Sequence, residues 1–246
     1  MELKGKALLS VTALTLLFTG CFGMTTVQGA ETIEGPADLH GVYNVQHSPY
    51  YVKHDYFHMK SHGSLTILSH VPTIQQTTEY SCGPAAAVMV LKYFNPRSTI
   101  KDKDLCPLMS TDTTKGTTTK GMLQYFDTSK WIVESSAANK TPQTDAEFKT
   151  FVLDHLKNNM PIMVENVDWG GHWRVIIGYD DMKTADTADD VLILADSYDT
   201  TDHNQDGYGI ESVQRFYYMW FDAKLFPKDA QDRQWLSVKP RENKQN

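Results

Sequence analysis

Cys82 stands where a polar run, Gln76-Thr77-Thr78-Glu79-Tyr80-Ser81, gives way to Gly83-Pro84-Ala85-Ala86-Ala87 and an apolar helical pattern. A thiol in the first turn of a helix faces unpaired N–H groups and the positive end of the helix dipole, which favour thiolate over thiol. A thiolate is a nucleophile, and a nucleophilic cysteine needs a base within hydrogen-bond reach and a group that orients that base. His172 follows Trp169-Gly170-Gly171, where two glycines permit a tight turn, and heads the run Trp173-Arg174-Val175-Ile176-Ile177-Gly178-Tyr179. Asp196 ends the next apolar run, Val191-Leu192-Ile193-Leu194-Ala195. If these runs are antiparallel neighbours, the end of one lies beside the start of the other, and Asp196 meets His172. Gln76, six residues before Cys82, offers a side-chain amide. With the Cys82 backbone N–H it would stabilise an oxyanion, each donor lowering the barrier by roughly 3 kcal/mol. The chemistry expected of this set is acyl transfer through a thioester.

Glu79, Glu165 and Asp168 are substitutes for the orienting acid, with Asp196 better placed. Cys106, between Leu105 and Pro107, reads as a packing cysteine, because isolated cysteines are among the most buried residues. A Cys82–Cys106 disulfide is the competing use of the two thiols. Three cysteines in all make no disulfide framework.

The elements that must position these residues come in two blocks. Helices are expected over 84–94, 100–105 and from about 119 to 126, and over a stretch capped by Thr144 or Asp145 with Phe148, Phe151, Val152, His155 and Leu156 at helical spacing. Strands are expected at 64–68 and 131–133, and then at 161–164, 173–179 and 191–195. Helices first and sheet second predict an α+β fold in which a helical half packs on a mostly antiparallel sheet, with a cleft between the halves. The aromatic run from Val213 to Phe221 is expected to pack under the sheet rather than to line that cleft.

With 246 residues, 41% hydrophobic and 22% charged, the chain has an ordinary globular composition. A formal net charge of −7 argues against nucleic acid or an anionic membrane surface as partner. Lys4 and Lys6 followed by the apolar run from Ala7 to Phe18 read as a signal segment within residues 1–30, too short to span a bilayer. Phe18-Thr19-Gly20-Cys21 resembles a lipoprotein cleavage box, so Cys21 is a candidate for lipidation and the only expected membrane attachment. The expected location is therefore outside the cytoplasm, secreted or anchored at the cell envelope. Residues 31–70 are read as an N-terminal extension and 71–240 as the catalytic domain. His54, His58 and His62 recur every fourth residue and would share one face of a helix, but no carboxylate or cysteine cluster accompanies them. Asp202, Asn204 and Asp206 before Gly207 match the first half of a calcium loop, whose second half fails at Val213.

Gln76-x5-Cys82-Gly83-Pro84-Ala85, then Gly171-His172-Trp173, then an aspartate closing the next strand, resembles the papain-like C39 peptidases, and in particular their stand-alone C39-like branch. The likeness covers roughly residues 71–221. It implies a papain-like fold, Cys82 as nucleophile, His172 as base, Asp196 as orienting acid, Gln76 as oxyanion donor and a peptide or peptide-like substrate, with no cofactor in the chemical step. The best-known members of that family cut double-glycine leaders and are fused to transporter domains; no such segment is read in this sequence, so leader processing is not implied. Phytochelatin synthases share the fold and the trio, which makes a γ-glutamyl-peptide transferase or amidase the alternative enzyme. Against it, the continuation Ser197-Tyr198-Asp199 differs from theirs. The alternative from another class is a non-catalytic envelope binding protein on a degenerate peptidase scaffold.

Overall fold

The computed structural model describes residues 49–199, 204–223 and 232–242. The expected signal segment with Cys21, and Asp202 of the half-matched calcium loop, lie outside the described residues. Among the described residues no helix is long and apolar enough to cross a membrane.

The chain is an α+β protein. Its described elements run β1 (Leu65–Ile67), α1 (Cys82–Phe94), α2 (Asp102–Leu105), α3 (Thr119–Tyr125), β2 (Trp131–Ser135), α4 (Asp145–Lys157), β3 (Ile162–Asn166), β4 (His172–Asp180), β5 (Val191–Ala195), β6 (Tyr208–Ser212), α5 (Val213–Tyr218) and β7 (Trp235–Pro240). The strands form one sheet in the order β2-β7-β3-β4-β5-β6, and every described pairing is antiparallel. β4 is the centre. Its first half pairs with β3, with Asn166 opposite His172, and its second half with β1 and β5. Residues 172–179 are accordingly all buried, a near-continuous apolar run rather than an alternating one.

α1 packs across β4. Its residues from Cys82 to Leu91 are all buried, and the small Gly83, Ala85, Ala86 and Ala87 explain how it comes so near the sheet. A Cβ on Gly83 would stand 2.9 Å from Thr117 Cβ and 3.4 Å from Trp173 Cδ1, so the residue after the cysteine must be glycine for this contact. The Trp173 indole N–H donates to the Thr117 carbonyl at 2.7 Å, which ties β4 to the turn before α3. α4 is capped as its sequence predicts: the Thr144 hydroxyl accepts from the Glu147 N–H at 3.1 Å. Phe148, Val152 and Leu156 form its buried stripe.

The aromatic run 213–221 divides between α5 and a following turn. Phe216 and Trp220 are fully buried against Phe148, with ring centroids 5.6 and 5.2 Å away, so this part of the segment packs as expected, whereas Tyr218 and Phe221 are exposed. The core also takes in Tyr56, Leu65, Ile67 and Leu68, so residues on both sides of position 70 share it. His54, His58 and His62 do not share a helix face, because residues 51–63 form turns and a bridge. His58 bonds Asp55 at 2.8 Å and His54 packs on Tyr56. Asp206 Oδ1 accepts from the Tyr208 N–H at 3.1 Å, and the Asp206 carbonyl accepts from the Thr73 hydroxyl at 2.6 Å.

Candidate active site

α1 begins at Cys82, so its thiol sits in the first helical turn, as the Gly-Pro sequence predicts. Pro84 lies inside that turn, where a missing N–H costs no helical bond. Both Cys82 and Cys106 are free thiols. Burial, with the Asp102 charge adding, pushes the Cys106 thiol above its ordinary value, in keeping with a packing role.

His172 is the first residue of β4 and Asp196 the residue after β5. The antiparallel register brings them together: His172 Nε2 lies 2.7 Å from Asp196 Oδ1. That leaves Nδ1 as the ring nitrogen available to Cys82, whose side chain interacts with the imidazole both by hydrogen bond and by charge. Burial alone would strip the proton from His172. The Asp196 charge and hydrogen bond, with Cys82, outweigh it and raise the imidazole to about 9. Burial likewise disfavours the Asp196 charge, yet His172, the Arg174 charge and the Tyr198 N–H hold that carboxyl down at about 2. The pair is an ion pair at neutral pH, with 3% and 4% of each residue exposed.

Asp196 is itself fixed. Its Oδ1 also accepts from the Tyr198 N–H at 2.8 Å, and its backbone N–H donates to the Gly207 carbonyl at 2.8 Å. Trp169 stands edge-on to the His172 ring at 5.2 Å and beside Tyr198 at 4.8 Å, an aromatic cover over the imidazole. The other candidate acids are engaged elsewhere. Glu79 accepts from the Tyr198 hydroxyl, Asp168 from the Asn166 amide, and Glu165 from the Gln234 amide.

Gln76 is buried next to this set through Ser197. Its N–H donates to the Ser197 carbonyl at 2.9 Å, and its Oε1 accepts from the Ser197 hydroxyl at 2.8 Å. Its Nε2 donates to the Thr78 carbonyl at 2.8 Å. A carbonyl can only accept, so this contact fixes which end of the amide is nitrogen. One of the two Nε2 protons is thereby used.

Beside Cys82 lies a cavity of about 100 Å³ lined by Glu79, Lys115, Thr117, Glu165, Gly171 and Asp222 among others. Glu165 and Asp222 were not part of the expected set in this role. Gly171, expected for a tight turn, has φ 170, which is extended backbone; the left-handed residues are Trp169 at 54° and Gly170 at 103°. What requires glycine at 171 is space, since a Cβ there would lie 2.2 Å from Asp222 Oδ2 and 2.6 Å from Glu165 Oε1.

Residues 68–221 match the model of the Peptidase_C39 like family. The chain belongs to that family. This C39-like chain is also similar to two solved structures. One is the peptidase domain of Streptococcus ComA, a bifunctional ABC transporter involved in a quorum-sensing pathway: 18% identity, 70% of this chain and 98% of that one, TM-score 0.45. The other is a candidate C39-like peptidase from Bacillus anthracis: 15% identity, 73% of this chain and 99% of that one, TM-score 0.48. Likeness at this level concerns the fold alone. A search of curated proteins gave no match. Membership of the C39-like family supports a peptidase-type function.

Proposed function

We propose that this C39-like protein is an exported cysteine peptidase, with Cys82 as nucleophile, His172 as general base and acid, Asp196 as the residue that orients and charges His172, and Gln76 as an oxyanion donor. The observation that carries the reading is the 2.7 Å contact of His172 Nε2 with Asp196, which leaves Nδ1 as the ring nitrogen to serve Cys82. A ring nitrogen available to a thiol at a helix start is what a thiolate–imidazolium pair needs. The Cys82 sulfur adds to the carbonyl carbon of a peptide bond, and the carbonyl oxygen becomes an oxyanion. Collapse expels the leaving amine, which takes the proton from His172 and leaves a thioester on Cys82. Water then attacks the thioester while His172 takes its proton, the acyl C–S bond breaks, and Cys82 leaves as thiolate as the carboxylic product departs. In the oxyanion step the Cys82 N–H and the second Gln76 Nε2 proton are the proposed donors.

Cleavage of an unbiased peptide library tests this. Cys82→Ala is expected to lower turnover by about 10⁴-fold or more, and Asp196→Asn less than His172→Ala, about 10² against about 10⁴. Gln76→Ala is expected to lower kcat by about 10²-fold while leaving Cys82 alkylation nearly unchanged. Library cleavage that survives Cys82→Ala would end the proposal. Export is proposed on the residue 1–30 pattern, with Cys21 as the lipidated residue; the mass of the mature N-terminus in the envelope fraction tests both.

A further inference from the structure

We infer that Asp102 is a positioning residue for acyl transfer: its Oδ2 oxygen clamps both ends of the segment between Gln76 and Cys82 and so fixes where the Gln76 amide stands relative to the sulfur. This deepens the peptidase reading and rests on it for the role of Gln76 as an oxyanion donor.

The residues from Thr77 to Ser81 belong to no helix or strand, so no regular backbone pattern sets the distance between the glutamine and the cysteine. Asp102 sets it instead. Its Oδ2 accepts from the Thr77 N–H at 2.8 Å, from the Thr77 hydroxyl at 2.9 Å and from the Ser81 hydroxyl at 2.8 Å. Thr77 adjoins Gln76 and Ser81 adjoins Cys82, so a single oxygen draws the two ends of the segment together. Asp102 is the first residue of α2 and is 2% exposed. Leu105 seats α2 in the core, and α2 packs on α1. The anchor is therefore fixed against the helix that carries Cys82.

The connection runs on to the amide itself. The Ser81 hydroxyl that donates to Asp102 accepts from the Thr78 N–H at 3.2 Å, and the Thr78 carbonyl accepts from Gln76 Nε2 at 2.8 Å. Asp102, Ser81, Thr78 and the Gln76 amide thus form one hydrogen-bonded chain. Its other end is tied by Ser197, which holds the Gln76 backbone and Oε1. If the Asp102 end is released, the Thr78 carbonyl is free to shift, and the Nε2 group that donates to it turns with it.

Asp102 also affects the start of α1. Serine at a helix N-cap ordinarily turns its oxygen onto a first-turn N–H, but Ser81 makes no such cap. Its hydroxyl is drawn to Asp102 instead, and the positive end of α1 is left to the sulfur. A carboxylate suits this task because it only accepts, and hydrogen bonds to an ionised acceptor are roughly twice as strong as neutral ones. Asparagine at 102 keeps the shape and one acceptor oxygen but loses that strength.

The test compares two small neutral reagents at Cys82. Acylation by p-nitrophenyl acetate forms a C–S bond, breaks the acyl C–O bond, releases p-nitrophenolate and passes through an oxyanion; alkylation by iodoacetamide displaces iodide and builds none. The ratio of the two rates, each taken above the Cys82→Ala background, reports the oxyanion donors. That ratio is expected to fall about tenfold in Asp102→Asn and about threefold in Thr77→Val, which removes one donor at the Gln76 end. In a Gln76→Ala background, Asp102→Asn should lower it less than about twofold, because the group it positions is gone. Where peptides are cleaved, Asp102→Asn should lower kcat about tenfold with KM within about twofold. An unchanged ratio in folded Asp102→Asn would overturn the inference, as would a lowered melting temperature with the ratio intact, the mark of a purely structural clamp. An equal fall with and without Gln76 would overturn it too. If Asp102→Asn does not fold, Thr77→Val decides by the same ratio, alone and with Gln76→Ala. Acylation that depends on Asp102 without cleavage of any peptide sinks the peptidase reading and keeps the positioning role, whereas peptide cleavage indifferent to Asp102→Asn does the reverse.

Discussion

His172 and Gly171 are neighbours in the chain, yet the acidic groups that meet them are treated in opposite ways. On the His172 side, Asp196 is buried with a cation at 2.7 Å, and each group stabilises the charge of the other. On the Gly171 side, Glu165 and Asp222 are buried as deeply, and burial with like charge drives Glu165 toward its protonated form. One half is preorganised: its charges are complete before any ligand arrives. The other brings two acids together, and it is the half that lines the cavity beside Cys82. An oppositely charged buried pair holds a reactive group in one orientation, whereas a like-charged buried pair shifts a carboxyl toward its protonated form.

Truncation should separate the halves most sharply. Asp196→Ala strands a buried imidazole and removes the acceptor of the Tyr198 N–H, so it is expected to cost about 3–5 kcal/mol of stability. Glu165→Gln swaps a repelled acid for a neutral amide of the same size and should stay within about 1 kcal/mol of wild type or gain stability. Urea unfolding of both variants measures the difference. Equal losses would show that the two acidic pairs are not distinct in kind.

The His172 half was legible in the sequence, and the Glu165 half was not. Cys-Gly-Pro before an alanine-rich run marks a helix start, and His172 and Asp196 sit at the ends of consecutive apolar runs, so an antiparallel hairpin between β4 and β5 is enough to join them. The length and apolar pattern of such runs also made α1, α4 and β3 to β5 readable. β7 was not read as a strand, although it lies between β2 and β3, because its pairing partners are about 70 and 100 residues distant and nothing local announces them. Asp222 and Glu165 meet for the same reason: the return of the chain after α5 brings Asp222 to Gly171, and no spacing encodes that. Glu165 was noticed only as a substitute for Asp196. The signal that could have found its role is a glutamate inside a strand whose every other residue is buried.

Gly171→Ala probes the junction of the two halves. The added methyl would fall 2.2 Å from Asp222 Oδ2 and 2.6 Å from Glu165 Oε1, so one carboxyl must move. Overpacking of this kind is expected to cost about 1–3 kcal/mol. The contact of His172 with Asp196 lies on the neighbouring residue and should keep its geometry in a crystal structure of the variant. Displacement of His172 instead of the carboxyls would mean that the halves are mechanically one unit.

The pH dependence of stability gives the two halves separate signatures. His172 titrates at about 9 in the folded protein against about 6.5 unfolded. Its contribution is complete below about 6.5 and is lost as pH rises through 9. Asp196 titrates at about 2 against an ordinary 3.8, so its contribution is present above 3.8 and is lost as pH falls through 2. Glu165 is a carboxyl raised in the fold, which reverses the acid sign: the folded state holds the proton longer than the unfolded chain. Stability therefore falls as pH rises from about 4.5 through its elevated value. Wild type should lose stability in two stages on the alkaline side, first from Glu165 and then from His172. Glu165→Gln should flatten the first stage alone, and Asp196→Asn should shrink the second and the acid limb together. Chemical denaturation at half-unit pH steps resolves the stages, and a Glu165→Gln curve parallel to wild type between pH 5 and 7 would remove the carboxyl pair from the account.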